Sequence, residues 1–194
     1  MKLNKLISRI IDFRKLESGK LKLEPQSLNL VTFCKDLTVD YEALCQQKNI
    51  IFHFLPSRTI IRVEFDPEKM EILLSNLISN AFKYTPEGGK IVLSIDETDE
   101  KVTLVVEDNG IGIQKEFQEV IFDRFFQIEN TEIFSTGDGI GLSFVKHLVE
   151  LHDGTIRVES ELNKGAKFIV EFPKKKEWMN LFLRKKKSLL CRNL

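Results

Sequence analysis

The stretch "SNLISNAFKYTPEGG", residues 75–89, decides how this chain is read. It begins as a helix and ends in a turn, with Asn76 and Asn80 four residues apart inside an apolar helical pattern. Asn has poor helix propensity and a buried amide needs hydrogen-bond partners, so something should be bonded there. Asn76, Asn80 and Lys83 differ by four and three positions and form one polar stripe, while Leu73, Leu74, Leu77, Ile78 and Ala81 belong to the packing faces. Two amide carbonyls, which are hard oxygen ligands, and an ammonium suit Mg²⁺ and phosphate oxygens. Taken alone, the stripe fits an exposed helix face equally well.

Working outward, Asp66 caps this helix, Pro67 starts it, and it ends near Tyr84 before Pro86, Gly88 and Gly89. Upstream, "IIFHFL" (50–55) and "IIRVEF" (60–65) are β-rich runs separated by a turn containing Pro56 and Ser57. Asn29 caps a helix running to about Lys48, with Leu30, Phe33, Leu37, Tyr41 and Leu44 on one face. "LKLE" (21–24) alternates like a short strand before Pro25. Leu3, Leu6, Ile10, Phe13 and Leu16 recur at the spacing of a coiled-coil seam, which one helix cannot bury alone. Downstream, strands are predicted at 90–95 and 102–107, a helix at about 140–151, and strands at 155–159 and 167–172. Hairpin-linked strands mixed with helices imply an α+β fold: a two-layer α/β sandwich whose mixed, mostly antiparallel sheet is covered by three helices.

Composition sets the outer bounds. At 194 residues, with 42% hydrophobic and 30% charged residues, the chain fits one soluble domain with a real core and short appendages. Its apolar runs are far shorter than the roughly 18 residues of a membrane span, and no signal peptide opens it, so a cytoplasmic location is expected. Cys34, Cys45 and Cys191 show no C-x-x-C pairing, which suits a reducing compartment and argues against structural zinc. His53, His147 and His152 have no metal-ligand spacing around them and read as surface or satisfied structural histidines. The net charge of zero hides an asymmetry: residues 174–194 hold eight Lys or Arg against one acid, net +7, and the remainder 21 against 28, net −7. An acidic body does not suit nucleic acid. The basic tail, with Trp178, Leu181, Phe182, Leu189 and Leu190, reads as a terminal extension more readily than as a membrane-surface or partner-binding segment.

Two glycine-rich segments change the weight of the asparagine stripe. "VEDNGIGI" (106–113) follows a strand with an acid and then places Gly110 and Gly112 two apart. Such glycines let a backbone turn sharply and approach a ligand, while a buried Asp108 accepts a hydrogen bond from an exocyclic amine. "GDGIGLSF" (137–144) alternates Gly137, Gly139 and Gly141 and then opens a helix whose N-terminal amides suit phosphate. Each is weak alone, and neither is a Walker loop or a dinucleotide fingerprint. Their conjunction is specific.

In order, "NLISNAFKYTPEGG", "VEDNGIGI", "IFDRFF" and "GDGIGLSFVKHLVELHDG" resemble the N box, first glycine box, F box and second glycine box of sensor histidine kinases. The catalytic ATP-binding domain of those kinases shares its fold family with the ATPases of DNA gyrase and mismatch repair. The resemblance covers roughly residues 24–173, and "RIIDFRKLESGKLKLEP" is similar to the end of a dimerisation hairpin's second helix and its exit. It divides the chain into a remnant of that helix with a linker strand (1–23), the ATP-binding catalytic domain (24–173) and the basic tail (174–194).

Residue by residue, the resemblance implies that Asn80 ligates Mg²⁺, Asn76 supports metal and phosphates, Lys83 contacts phosphate and Tyr84 lines the nucleotide. It implies that Asp108 binds the adenine amino group in a pocket shaped by Gly110 and Gly112 and walled by Ile113. Gly137, Gly139 and Gly141, with Ile140 and Leu142, would cradle the triphosphate at the helix start. Residues from about 115 to 136 would form a mobile lid anchored by Phe122, Phe125 and Phe126, for which ordinary core packing is the competing reading.

The resemblance also separates kinase from hydrolase. In gyrase-like ATPases a glutamate four residues before the metal-binding Asn activates water; here that place is Asn76, and an amide is no general base. The chain departs from the kinase pattern too. No histidine precedes His53, so the acceptor sequence is absent and autophosphorylation within this chain is not expected. Asp138 stands where relatives usually have Thr or Ser, placing negative charge beside the triphosphate. Gln127 stands where many relatives carry a phosphate-contacting Arg, a role Arg124 can take, and Ala166 lacks a hydroxyl often found at its place.

The expectation is therefore a Mg-ATP-dependent protein histidine kinase module, a transferase acting in a two-component phosphorelay. It would phosphorylate a histidine on a dimerisation hairpin supplied by a parent or partner protein and feed a response regulator. The competing reading is a catalytically silent nucleotide-binding module that regulates or dimerises with a true kinase through residues 1–19.

Overall fold

The computed structural model describes residues 21–124, 126 and 139–174. The predicted N-terminal seam and the basic tail beyond Lys174 lie outside the described residues. The elements are β1 (Gln26–Asn29), α1 (Leu30–Gln47), β2 (Ile51–Pro56), β3 (Arg62–Phe65), α2 (Pro67–Tyr84), β4 (Lys90–Glu97) and β5 (Lys101–Asp108). Two 3₁₀ turns follow at Lys115–Phe117 and Val120–Phe122, then α3 (Gly141–Leu151), β6 (Thr155–Glu161) and β7 (Gly165–Pro173).

The helices start where polar caps are available. Asn29 Oδ1 accepts from Val31 N at 3.2 Å and opens α1. Asp66 Oδ1 accepts from Lys69 N at 3.1 Å and opens α2, where Pro67, which has no N–H to satisfy, occupies the first turn. Thr85 ends α2, with both its N–H and its hydroxyl bonded to Ala81 O.

The main sheet has five strands in the order β2-β4-β5-β7-β6, with β2 and β4 parallel and the other neighbours antiparallel. Its register aligns Phe54, Leu93, Val106, Phe168 and Val158 in one row, and Ile95, Leu104, Val170 and Ile156 in the next. These side chains meet Leu73, Leu74, Leu77 and Ile78 of α2 and Phe144, Val145, Leu148 and Val149 of α3 in one core cluster. Phe54, Ile156 and Val158 are partly buried, and each of the fully buried side chains stabilises the fold by roughly 1.5–3 kcal/mol relative to exposure. On the opposite face Ile51 and Leu55 are 55% exposed, so the helices form a single layer on one side. The α+β two-layer sandwich is the observed architecture.

Two local expectations fail. Residues 60–65 do not form a hairpin with 50–55: β3 pairs antiparallel with β1 in a separate two-stranded sheet, and β2 lies parallel to β4. Asn29 explains the diversion, because its Oδ1 also accepts from Ile61 N at 3.0 Å, and Leu30 N donates to Ile61 O at 2.9 Å. The start of α1 thus captures the chain leading into β3. The strand expected at 21–24 lies instead at Gln26–Asn29, after Pro25 rather than before it.

Candidate functional site

The stripe on α2 sits where the helix layer meets α3. Asn76 is buried, and its Nδ2 donates to Ile72 O one turn back at 2.7 Å, which fixes the amide and turns Oδ1 towards α3. A β-carbon built on Gly141 would stand 3.0 Å from that oxygen, so the first residue of α3 lies directly against Asn76. Asn80 is half-buried one turn further along. Lys83 reaches Tyr84, donating to its hydroxyl at 3.0 Å with its ammonium 4.8 Å from the ring centroid.

Opposite the stripe, α3 begins without a side-chain cap, since Ile140 occupies the N-cap position. Its first N–H groups carry the partial positive charge of the helix, an arrangement suited to an anion. Gly139 has φ of +64°, a left-handed value that favours glycine and turns the chain into the helix. Gly137 and Asp138 lie outside the described residues, as do Phe125 and Gln127.

Asp108, at the end of β5, is buried, and its Oδ1 accepts from Gly110 N at 2.8 Å and from Ala166 N at 3.4 Å. Burial pushes its carboxyl above the ordinary carboxylate range, the two N–H bonds oppose that, and neighbouring Glu107 adds to it. Both bonds go to Oδ1, which leaves Oδ2 as an acceptor for an amine. The loop after Asp108 has no room for side chains at its glycines. A β-carbon on Gly110 would strike the Tyr84 carbonyl, and one on Gly112, where φ is +68°, would strike that of Glu161. The loop is tied to the end of α2 by Ile111 N to Tyr84 O at 3.3 Å, and Ile113 N donates to Ser160 Oγ at 2.8 Å.

Beyond Ile113 the predicted lid begins with the two 3₁₀ turns. Phe122 is buried and meets Phe168 edge-on at 6.4 Å, and Phe126 packs against Phe117 at 5.7 Å, so both are bound to the core cluster or its margin. Arg124 is exposed. The fold thus brings Asn76, Asn80, Lys83 and Tyr84, the Asp108 loop and the start of α3 to one side of the helix layer. Sequence reasoning missed Gly165, Ser160, Gln118 and Phe117. Gly165 has φ of +94° and lies under the backbone of Asp108, and the N-K-G turn at 163–165 was its one signal. Gln118 Nε2 bridges Ile113 O at 3.0 Å and Ser160 O at 2.7 Å, a contact between distant segments with no local signature.

Mg²⁺ takes one or two protein oxygens with phosphate oxygens and water as its other ligands. Asn80 and Asn76 fit that donor set, and no cluster of three or more His, Cys, Asp or Glu side chains that could build a protein cage occurs among the described residues.

The family described as histidine kinase-, DNA gyrase B- and HSP90-like ATPase matches residues 65–176. Histidine kinase P4 of Formosa agariphila is 38% identical over 172 residues, covering 87% of this chain and 13% of that protein. Sensor histidine kinase WalK of Bacillus subtilis is 33% identical over 176 residues, covering 89% of this chain and 29% of that protein. The chain therefore spans less than a third of these relatives. The solved catalytic domain of histidine kinase ThkA superposes with a TM-score of 0.71 at 33% identity, covering 78% of this chain and 99% of that one. ThkA is also solved in complex with a response regulator protein, with a TM-score of 0.70, 29% identity, and coverage of 90% of this chain and 50% of that one. The chain belongs to the histidine kinase-, DNA gyrase B- and HSP90-like ATPase family, as the ATP-binding catalytic domain of a sensor histidine kinase.

Proposed function

We propose that this domain binds Mg-ATP between α2 and α3 and donates the γ-phosphate to a histidine on a dimerisation hairpin carried by a parent or partner protein. The observation that carries the reading is the apposition of the Asn76–Lys83 stripe and the uncapped start of α3, with Gly141 against Asn76. Residues 24–173 are the catalytic unit in this reading.

Asp108 holds the adenine amino group on Oδ2 while Gly110 and Gly112 let the backbone close around the base, with Ile113 as a wall. Gly139, Ile140, Gly141 and Leu142 present backbone N–H groups to the triphosphate, and Lys83 adds a point charge. Asn80 holds Mg²⁺ with Asn76 beside it. When bound, the ion neutralises charge on the phosphate oxygens and orients them. Asn76 cannot deprotonate water, so the site keeps the phosphate for transfer rather than hydrolysis. Phe122 and Phe126 fix the base of a lid that excludes water, and Arg124 faces the phosphates from it.

The partner chemistry follows: a histidine acceptor, then a response regulator, as in the complex formed by ThkA. No helix among the described residues is long and apolar enough to cross a membrane. The silent-module alternative draws nothing from the relatives, which are named as kinases. The test is titration with a fluorescent ATP analogue with and without Mg²⁺, followed by incubation with labelled γ-ATP and a hairpin protein. Mg²⁺-dependent binding and labelled phosphohistidine are expected. Binding without phosphohistidine sinks the kinase reading, and absence of binding sinks the site.

A further inference from the structure

Lys48 closes α1 as its C-terminal cap and reaches across to the far end of α2. Its ammonium donates to Thr85 O at 2.7 Å and to Phe82 O at 3.2 Å, and stands 5.1 Å from the Phe82 ring centroid. Those carbonyls belong to the last turn of α2 and its cap, where the helix leaves acceptors unpaired and carries partial negative charge. Asn80, Lys83 and Tyr84 stand on that same last turn and a half.

The clamp continues along the next residues. Asn49, held at φ of +55°, accepts from Gly88 N on its carbonyl at 3.1 Å and donates from Nδ2 to Glu87 Oε1 at 2.7 Å. Ile51 N donates to Gly89 O at 2.9 Å. Residues 48–51 therefore grip residues 82–89 at five points, but only Lys48 brings a charge and only Lys48 bonds the helix end itself.

We infer that Lys48 is a positioning residue for the phosphate and metal end of the nucleotide site. A cation bonded to two carbonyls of the final turn fixes its pitch and offsets its partial negative charge, which would otherwise oppose an incoming triphosphate. The adenine end is built mainly on the sheet, through Asp108 and the N–H groups of Gly110 and Ala166, and it meets the last turn of α2 only through the carbonyl of Tyr84, which Lys48 does not bond. The inference rests on the Mg-ATP reading above.

The experiment measures the affinity of this chain for Mg-ATP and for adenosine, with wild type, Lys48→Met and Lys48→Arg, below the melting temperature of each. Loss of a charge-assisted pair of hydrogen bonds predicts roughly tenfold weaker Mg-ATP binding by Lys48→Met. Adenosine affinity changes far less than Mg-ATP affinity, and Lys48→Arg recovers most of the loss. Equal weakening of both ligands assigns Lys48 to general stability and overturns the inference, as does unchanged Mg-ATP affinity. If Lys48→Met does not fold, Lys48→Gln, whose neutral amide keeps N–H donors but no charge, supplies the same comparison. A wild type that binds neither ligand overturns the Mg-ATP reading itself, and this inference with it. A wild type that binds both, beside an unchanged Lys48→Met, overturns this inference alone.

Discussion

Asn76 and Gly141 face each other so closely that a β-carbon at position 141 would come within 3.0 Å of the Asn76 side-chain oxygen. That oxygen cannot swing aside freely, because the other half of the amide is bonded to Ile72 O. Gly141→Ala therefore pushes the start of α3 away from the stripe by a few tenths of an ångström. Alanine is the better helix former, by about 1 kcal/mol, so the fold is not expected to weaken. Thermal melting should show little change while Mg-ATP affinity falls roughly three- to tenfold, or about 0.7–1.4 kcal/mol. Unchanged affinity would mean that the spacing of the two helices does not matter to the ligand.

Asp108→Asn should stabilise the free domain and abolish nucleotide binding. Burial raises the folded-state carboxyl above its unfolded value, so folding favours the protonated form. The resulting penalty is absent below the unfolded pKa and grows as pH rises through the folded one. Asparagine keeps the Oδ1 acceptor for Gly110 and Ala166 and removes the charge. A higher melting temperature at pH 7, with the gain vanishing as pH falls below the unfolded carboxyl's own range, is the expected pair of results; a gain independent of pH would point to another cause.

Glycine substitutions should sort by space rather than by backbone angle alone. Gly88 and Gly112 both have left-handed φ, but a β-carbon on Gly88 meets nothing within 4 Å while one on Gly112 strikes the Glu161 carbonyl. Gly88→Ala should cost about 1–2 kcal/mol, the left-handed penalty alone. Gly112→Ala should cost clearly more, as urea denaturation of the two variants would show. Equal losses would remove the case for close docking of the Asp108 loop on the β6–β7 hairpin.

His152 joins the C-terminus of α3 to the N-terminus of α2. Its Nε2 accepts from Asp66 N at 3.2 Å and its Nδ1 lies 2.7 Å from Leu148 O, which together require the neutral ring with hydrogen on Nδ1. Nitrogen NMR of the ring at neutral pH should report that tautomer. His152→Ala strands the Asp66 N–H and should destabilise by about 1–3 kcal/mol.

Cys34 is fully buried, and burial pushes its thiol up to about 12. It should resist iodoacetamide at pH 8 until the domain unfolds globally, because the thiolate is the reactive form. Peptide mass mapping across a urea series would reveal any earlier modification.

The capping residues and the helical stripe were legible in the sequence because they are local. Asp66 and Pro67 opened α2, Asn29 opened α1, and the 76–80–83 spacing placed its three side chains together. The partnership of β3 was not legible. Pro56 and Ser57 signal a turn correctly, but a turn does not say with which strand the chain will pair afterwards. That choice falls to Asn29, whose amide both caps α1 and binds Ile61 N. The proposed adenine end was visible as glycines and an acid, whereas its floor at Gly165 and its brace at Ser160 arise from a hairpin about 50 residues away, which Gln118 joins to Ile113. Lys48 escaped notice because a lysine at the end of a helix commonly faces water.

The parallel pairing of β2 with β4 also orders events in time. Ile51 must find Lys90, so β3 and all of α2 lie between the partners. A parallel strand cannot be secured by a tight turn, and closing so long an interval delays the gain from its hydrogen bonds. During synthesis β2 emerges early and stays without its partner until the ribosome has released α2 and β4. The clamp from Lys48 to the end of α2 spans nearly the same interval, so the turn proposed to steady the phosphate end also draws β2 towards β4.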